Sequence, residues 1–92
     1  MKELYDIIIN ELYEDKSISA LLYLLEGGRE LSFRYENEEF SVTRDKERFY
    51  LNSQDSKKSQ IYVDAWQLIE KGQVHGKKFM DIWKDIELLT LY

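Results

Sequence analysis

The sequence contains no cysteine, which excludes disulfides, thiolate metal sites and thiol catalysis together. It has one histidine, His75, placed between two glycines in GQVHGKK. A transition-metal site needs several nitrogen or sulfur ligands, and a histidine base needs an orienting carboxylate and a nucleophile at a recognisable spacing. Neither pattern is present, so His75 reads as a surface or capping group. Proline is absent, and no low-complexity stretch or proline-rich linker interrupts the 92 residues, so one domain spanning 1–92 is expected. No apolar run approaches the roughly 20 residues that cross a bilayer. The start, MKELYDIIINELYEDK, carries acids where a signal peptide would carry positive charge. A cytoplasmic protein with no membrane contact is the expectation.

Basic residues are also scarce where acids gather. Residues 1–40 hold ten acids and four bases, a net of −6; residues 41–84 hold six acids and nine bases, a net of +3; Asp85 and Glu87 complete the total of −5. Phosphate affinity comes from clustered Lys and Arg, so direct nucleic-acid binding is disfavoured, while a basic protein surface would suit the amino-terminal half. Glu36, Glu38 and Glu39 lack the glycine and alternate spacing of a calcium loop. Gly27-Gly28 ends a helix and begins a strand, the reverse of a phosphate-cradling loop. No metal and no cofactor is expected.

What is present is patterning. Leu4, Tyr5, Ile8, Ile9 and Leu12 recur at helical spacing across 2–14. Ser17 is placed to cap a second helix, ISALLYLLE (18–26), which is apolar nearly all round and ends at the diglycine. Such a helix needs cover on several sides. The first helix would provide it; a homodimer seam over Leu21, Leu22, Leu24 and Leu25 is the other solution.

After the diglycine the period changes to two. Leu31, Phe33 and Tyr35, then Phe40 and Val42, then Phe49 and Leu51, then Ile61 and Val63 predict four antiparallel strands with those side chains inward and the first turn at Asn37-Glu38. Asp64 with Gln67 makes a capping box for a helix ended by Gly72, and Phe79, Ile82, Trp83 and Ile86 stripe a further helix. The class is α+β: a four- to five-stranded antiparallel meander flanked by an amino-terminal helical hairpin and two carboxy-terminal helices, ααββββαα, with LLTLY as a candidate final strand.

Two surfaces stand out. The sheet's outer face should display Ser32, Arg34, Ser41, Thr43, Tyr50 and Tyr62, of which Arg34, Thr43, Tyr50 and Tyr62 could stack a base or anchor a protein. Glu11, Glu14, Asp15, Glu36, Glu38 and Glu39 could meet the Lys and Arg of a partner. The stretches GRELSFRYENEEFSV and GKKFMDIWKDIELLTLY resemble small, acidic, mostly uncharacterised proteins of Gram-positive bacteria and their phages, across about residues 27–44 and 72–92. The matching positions, Phe33, Tyr35, Phe40, Ile82 and Trp83, are core residues, and the resemblance carries over no catalytic residue. It implies a phage or mobile-element origin, in which compact acidic proteins act as inhibitors of host defence or nucleic-acid-processing proteins. The functional expectation is a non-catalytic acidic module that binds another protein. A binder of nucleotide-like small molecules is the alternative.

Overall fold

The computed structural model describes residues 4–55 and 57–92. Lys2 and Glu3 of the expected first helix, and Ser56 between the expected third and fourth strands, lie outside the described residues. The elements run α1 (Leu4–Asp15), α2 (Ile18–Glu26), β1 (Leu31–Tyr35), β2 (Glu38–Arg44), β3 (Phe49–Ser53), β4 (Ser59–Tyr62), α3 (Ala65–Lys71), β5 (Gln73–Val74), β6 (Lys77–Lys78), α4 (Phe79–Ile82), a 3-10 turn (Trp83–Asp85) and β7 (Glu87–Leu91). The α+β class is as the periodicities predict.

The helix ends follow from local chemistry. Ser17 Oγ accepts from the Ala20 amide at 3.1 Å. At the other end of α2 the Gly28 amide donates to Leu25 O and the Arg29 amide to Leu24 O, with Gly28 at φ 96°. That pair of bonds needs a left-handed residue, which glycine supplies at no steric cost. Arg44 adds a cation to the same carboxyl end, donating to Glu26 O at 3.1 Å. Asp64 Oδ1 caps α3 through the Gln67 amide at 2.7 Å, while Gln67 Oε1 accepts from Val63 rather than from Asp64.

The main sheet has the order β4-β3-β2-β1-β7, antiparallel throughout, so β7 closes on the free side of β1. The turn between β1 and β2 is Glu36-Asn37, one residue earlier than expected. Tyr35 faces Glu38 across it, and both turn residues have positive φ, 49° and 66°. This is the mirror-image turn that suits the twist of a two-residue hairpin.

One face of the sheet carries Leu31, Phe33, Tyr35, Phe40, Val42, Phe49 and Leu51 into a single buried cluster with Leu12 of α1, the α2 leucines, Leu68 and Ile69 of α3, and Phe79, Ile82, Trp83 and Ile86. α1 and α3 both pack on α2. Leu21, Leu24 and Leu25 are therefore buried within one chain and only Leu22 is half-exposed, which overturns the seam between copies over these four residues. The all-round apolar helix is sandwiched between a helical layer and a sheet, and needs no second subunit.

The carboxy-terminal helix is shorter than its stripe suggests. Four residues of α-helix pass into the 3-10 turn, and β5 and β6 form a small hairpin ahead of them. Trp83 ties this end to the start of the chain. Its indole N–H donates to Lys16 O at 2.6 Å, Lys16 Nζ donates to Ile86 O at 2.5 Å, and the ammonium lies 5.4 Å from the indole centroid. Burial lowers the Lys16 pKa.

Candidate functional site

The sheet face turned away from the helices is built from Ser32 and Arg34 of β1, Glu39, Ser41 and Thr43 of β2, Tyr50 and Asn52 of β3, and Ile61 of β4, all half-exposed or exposed. A polar ladder crosses it. Asn52 Nδ2 donates to Ser41 Oγ at 3.1 Å and to Thr43 Oγ1 at 3.0 Å, and Asn52 Oδ1 accepts from Ser59 Oγ at 2.6 Å. Tyr50 donates to Asp45, whose carboxyl is lowered to about 2 by that hydroxyl and by the amides of Glu47 and Arg48.

The expected stacking platform does not assemble here. Tyr62 pairs with Phe49 and so lies on the helix side of the sheet, whereas Ile61 pairs with Tyr50 and faces outward. Side chains alternate strictly along a strand, so a one-residue difference in register exchanges the faces. The exchange is held by polar contacts. Tyr62 Oη reaches Lys71 O at 3.3 Å, and Gln60 binds the Gln73 backbone at both ends of its amide. Burial raises the Tyr62 pKa. Arg34 stands opposite Glu39 while Tyr50 stands opposite Thr43, which separates them by about 13 Å along the strands. Arg34 is also flanked by Glu39 at 3.9 Å and Glu87 at 3.6 Å. Thr43 and Tyr50 are neighbours; Arg34 and Tyr62 do not join them.

The six expected acids divide. Glu11, Glu14 and Asp15 stay exposed on α1, around a shallow cleft of 170 Å³ shared with Ile7 and Asn10. Glu36 and Glu38 instead turn to His75, and Glu39 to Arg34. Of these six, only the three on α1 carry no ion pair among the described residues.

Two features were not legible. First, the exchanged register leaves Ile61, Val63 and Trp66 exposed by 56%, 59% and 51%, although Ile61 and Val63 were expected inside. Ile61 lies on β4, which is an edge strand, Val63 follows it and Trp66 opens α3. Leu51 faces Gln60, and the Ser53 amide donates to Lys58 O, so the bonded pairs are 53/58, 51/60 and 49/62. Alternation then turns the amide and carbonyl of Ser59 and Ile61 to the open side. Second, His75 gathers Glu36, Glu38, Tyr35 and Phe40 at the other end of β1 and β2, and Lys77 joins the group through Glu36 and Tyr35. A groove of 630 Å³ runs beside it, lined by Phe40, Ser53, Lys58, Ser59, Gln60, Gln73 and His75. Ser53 donates to Glu38, which also contacts His75. The carboxylate thus stands between hydroxyl and imidazole, whereas a nucleophile triad needs the imidazole in the middle.

Fold and surfaces together define a small α+β protein with helices on one face of an antiparallel sheet, a wet second face and an apolar open edge. No family model matches the chain, and neither the curated proteins nor the solved structures contain a match. No helix among the described residues is long and apolar enough to cross a membrane.

Proposed function

We propose that the protein is a non-catalytic binding module that engages another protein through edge strand β4 and its apolar flank. The observation carrying this reading is the cluster Ile61, Val63 and Trp66, three large exposed apolar residues within six positions. Exposed apolar residues scattered singly are ordinary, but here Ile61 on the edge strand, Val63 just after it and Trp66 at the start of α3 follow one another closely along the chain. Natural edge strands are usually blunted by charge or proline; Ser59 to Val63 contains neither. An extended segment of the partner would bond to the backbone groups of Ser59 and Ile61 and set an apolar side chain beside Ile61. Covering a partner's surface in this way is the mode of action that the likeness to phage proteins implies for an inhibitor of host defence or nucleic-acid processing.

Ile61→Lys combined with Trp66→Ala should leave stability within about 0.5 kcal/mol, because neither side chain is in the core. A partner recovered from source-cell lysate by the unaltered protein should be lost by this variant. Equal recovery by both proteins, or loss on Glu11→Lys with Glu14→Lys instead, would place the site elsewhere.

The alternative, a nucleotide-like small molecule, has the 630 Å³ groove as its place, with Lys58, Ser59 and Gln73 as polar contacts. A ligand at a hundred times its Kd stabilises a folded protein by about 2.7 kcal/mol. A nucleotide panel that produces no rise in Tm removes this reading.

A further inference from the structure

Two hairpin tips meet at the end of the sheet. The β1–β2 turn places Glu36 and Asn37 at positive φ, and the β5–β6 turn places His75 and Gly76 there, at 52° and 75°. Glycine enters this backbone freely and asparagine, aspartate and histidine are enriched in it; Glu adopts it at some cost and persists where its surroundings hold it. What holds Glu36 is His75. His75 Nδ1 lies 3.3 Å from Glu36 Oε1, and His75 Nε2 lies 2.5 Å from Glu38 Oε1. The ring is packed edge-on to Phe40 at 5.6 Å and tilted against Tyr35 at 5.8 Å.

The chemistry of this arrangement permits one protonation state. An ionised carboxylate only accepts, and a neutral imidazole has one donor and one acceptor nitrogen. With a carboxylate at each nitrogen, a neutral ring would set one lone pair against another; the imidazolium satisfies both contacts. We propose that His75 is a proton-operated clasp: charged, it fastens the β5–β6 hairpin to the tip of the β1–β2 hairpin and closes one wall of the groove; neutral, it releases that hairpin. The proposal goes beyond the partner-binding reading and does not depend on it.

The charged and titratable groups facing the ring from each neighbouring element are Glu36 in the β1–β2 turn, Glu38 on β2, Tyr35 on β1 and Lys77 on β6, with Lys58 across the groove. Lys77 opposes the imidazolium, but it is held by Tyr35 Oη at 3.1 Å and Glu36 at 3.7 Å. The carboxylates prevail. The His75 pKa is raised from 6.5, first by Glu38 and then by Glu36. Glu36 is lowered from 4.5 chiefly by His75, and Glu38 chiefly by Ser53 and then His75. A raised histidine contributes stability in full below its unfolded pKa and loses it as pH climbs through the folded value; lowered carboxylates contribute above 4.5 and lose it as pH falls through theirs. The clasp is therefore fully fastened between pH 4.5 and 6.5 and opens on the alkaline side of that window.

Proton NMR of the intact protein provides the test. The His75 ring should titrate at a higher pH than in the urea-unfolded chain, and ring signals of Phe40 and Tyr35 should move with the same midpoint. The protection factors of the Val74 and Lys77 amides, corrected for intrinsic exchange, should fall several-fold through it. Glu36→Gln with Glu38→Gln should bring the midpoint down toward the unfolded value. His75→Asn, a residue that suits the left-handed backbone, should make the Val74 and Lys77 protection independent of pH. A His75 midpoint at or below the unfolded value would overturn the proposal, as would protection that stays flat in the unaltered protein or keeps its step in His75→Asn.

Discussion

Phe33→Ala is expected to cost about 3–5 kcal/mol, the usual range for emptying a buried phenylalanine site. Phe33 has 0% exposure and lies on β1, which has a strand on either side. Its ring stacks on Phe40 at 5.4 Å with an interplanar angle of 15°, and meets Phe79 edge-on at 5.8 Å. The sheet and α4 are thus joined through this one side chain, and neither neighbour can collapse into the vacated space without leaving the other. A domain of this size has about 5–14 kcal/mol of stability in all, so the substitution takes a large share of it. Urea unfolding should show a much lower midpoint with an unchanged m value. A loss below 1 kcal/mol would mean that the three rings are not packed as described.

Gly72→Ala should be the second-largest effect, for a different reason. The backbone there, φ −59° and ψ 146°, is comfortable for alanine. The obstacle is proximity: a Cβ would stand 2.5 Å from Leu68 O and 3.1 Å from Leu51 Cδ2. The chain cannot step aside easily, because the Gly72 amide donates to Leu68 O at 2.8 Å and Gly72 O accepts from the Phe79 amide at 2.8 Å. Forcing atoms into a packed core typically costs 1–3 kcal/mol, and about 2–3 kcal/mol is expected here. Thermal unfolding measures it, as a drop in Tm of roughly 8–20 °C for a chain of this length. An unchanged Tm would show that α3 ends differently.

These two sites also show what a sequence reading can reach. Phe33 and its alternating neighbours from Leu31 to Leu51 were legible because each strand contrasts an apolar with a polar residue at every step. Ser17, Asp64 and the diglycine were legible because caps depend on residues close in the chain. QIYV was not: tyrosine and its aliphatic neighbours differ too little in hydropathy to fix a face, and the decision came from Gln60 and Tyr62 binding Gln73 and Lys71, contacts made through tertiary structure. The turn at Glu36-Asn37 was missed by one residue because glutamate is rare at positive φ, and the residue that holds it there, His75, is thirty-nine positions away. The platform of Arg34, Thr43, Tyr50 and Tyr62 failed for both reasons. It assumed the wrong face for Tyr62 and ignored the strand offset of Arg34.

The placement of β7 beside β1 has a consequence for synthesis on the ribosome. When residues up to Tyr62 have emerged, β1 to β4 can pair, yet the flank of β1 that bears Leu31 and Phe33 still waits for residues 87–91. At about 5–20 residues per second, the nascent polypeptide carries that unfilled flank for some seconds. During this interval the future interior of the sheet is its stickiest border, and a chaperone that shields hydrophobic strands would find its substrate there.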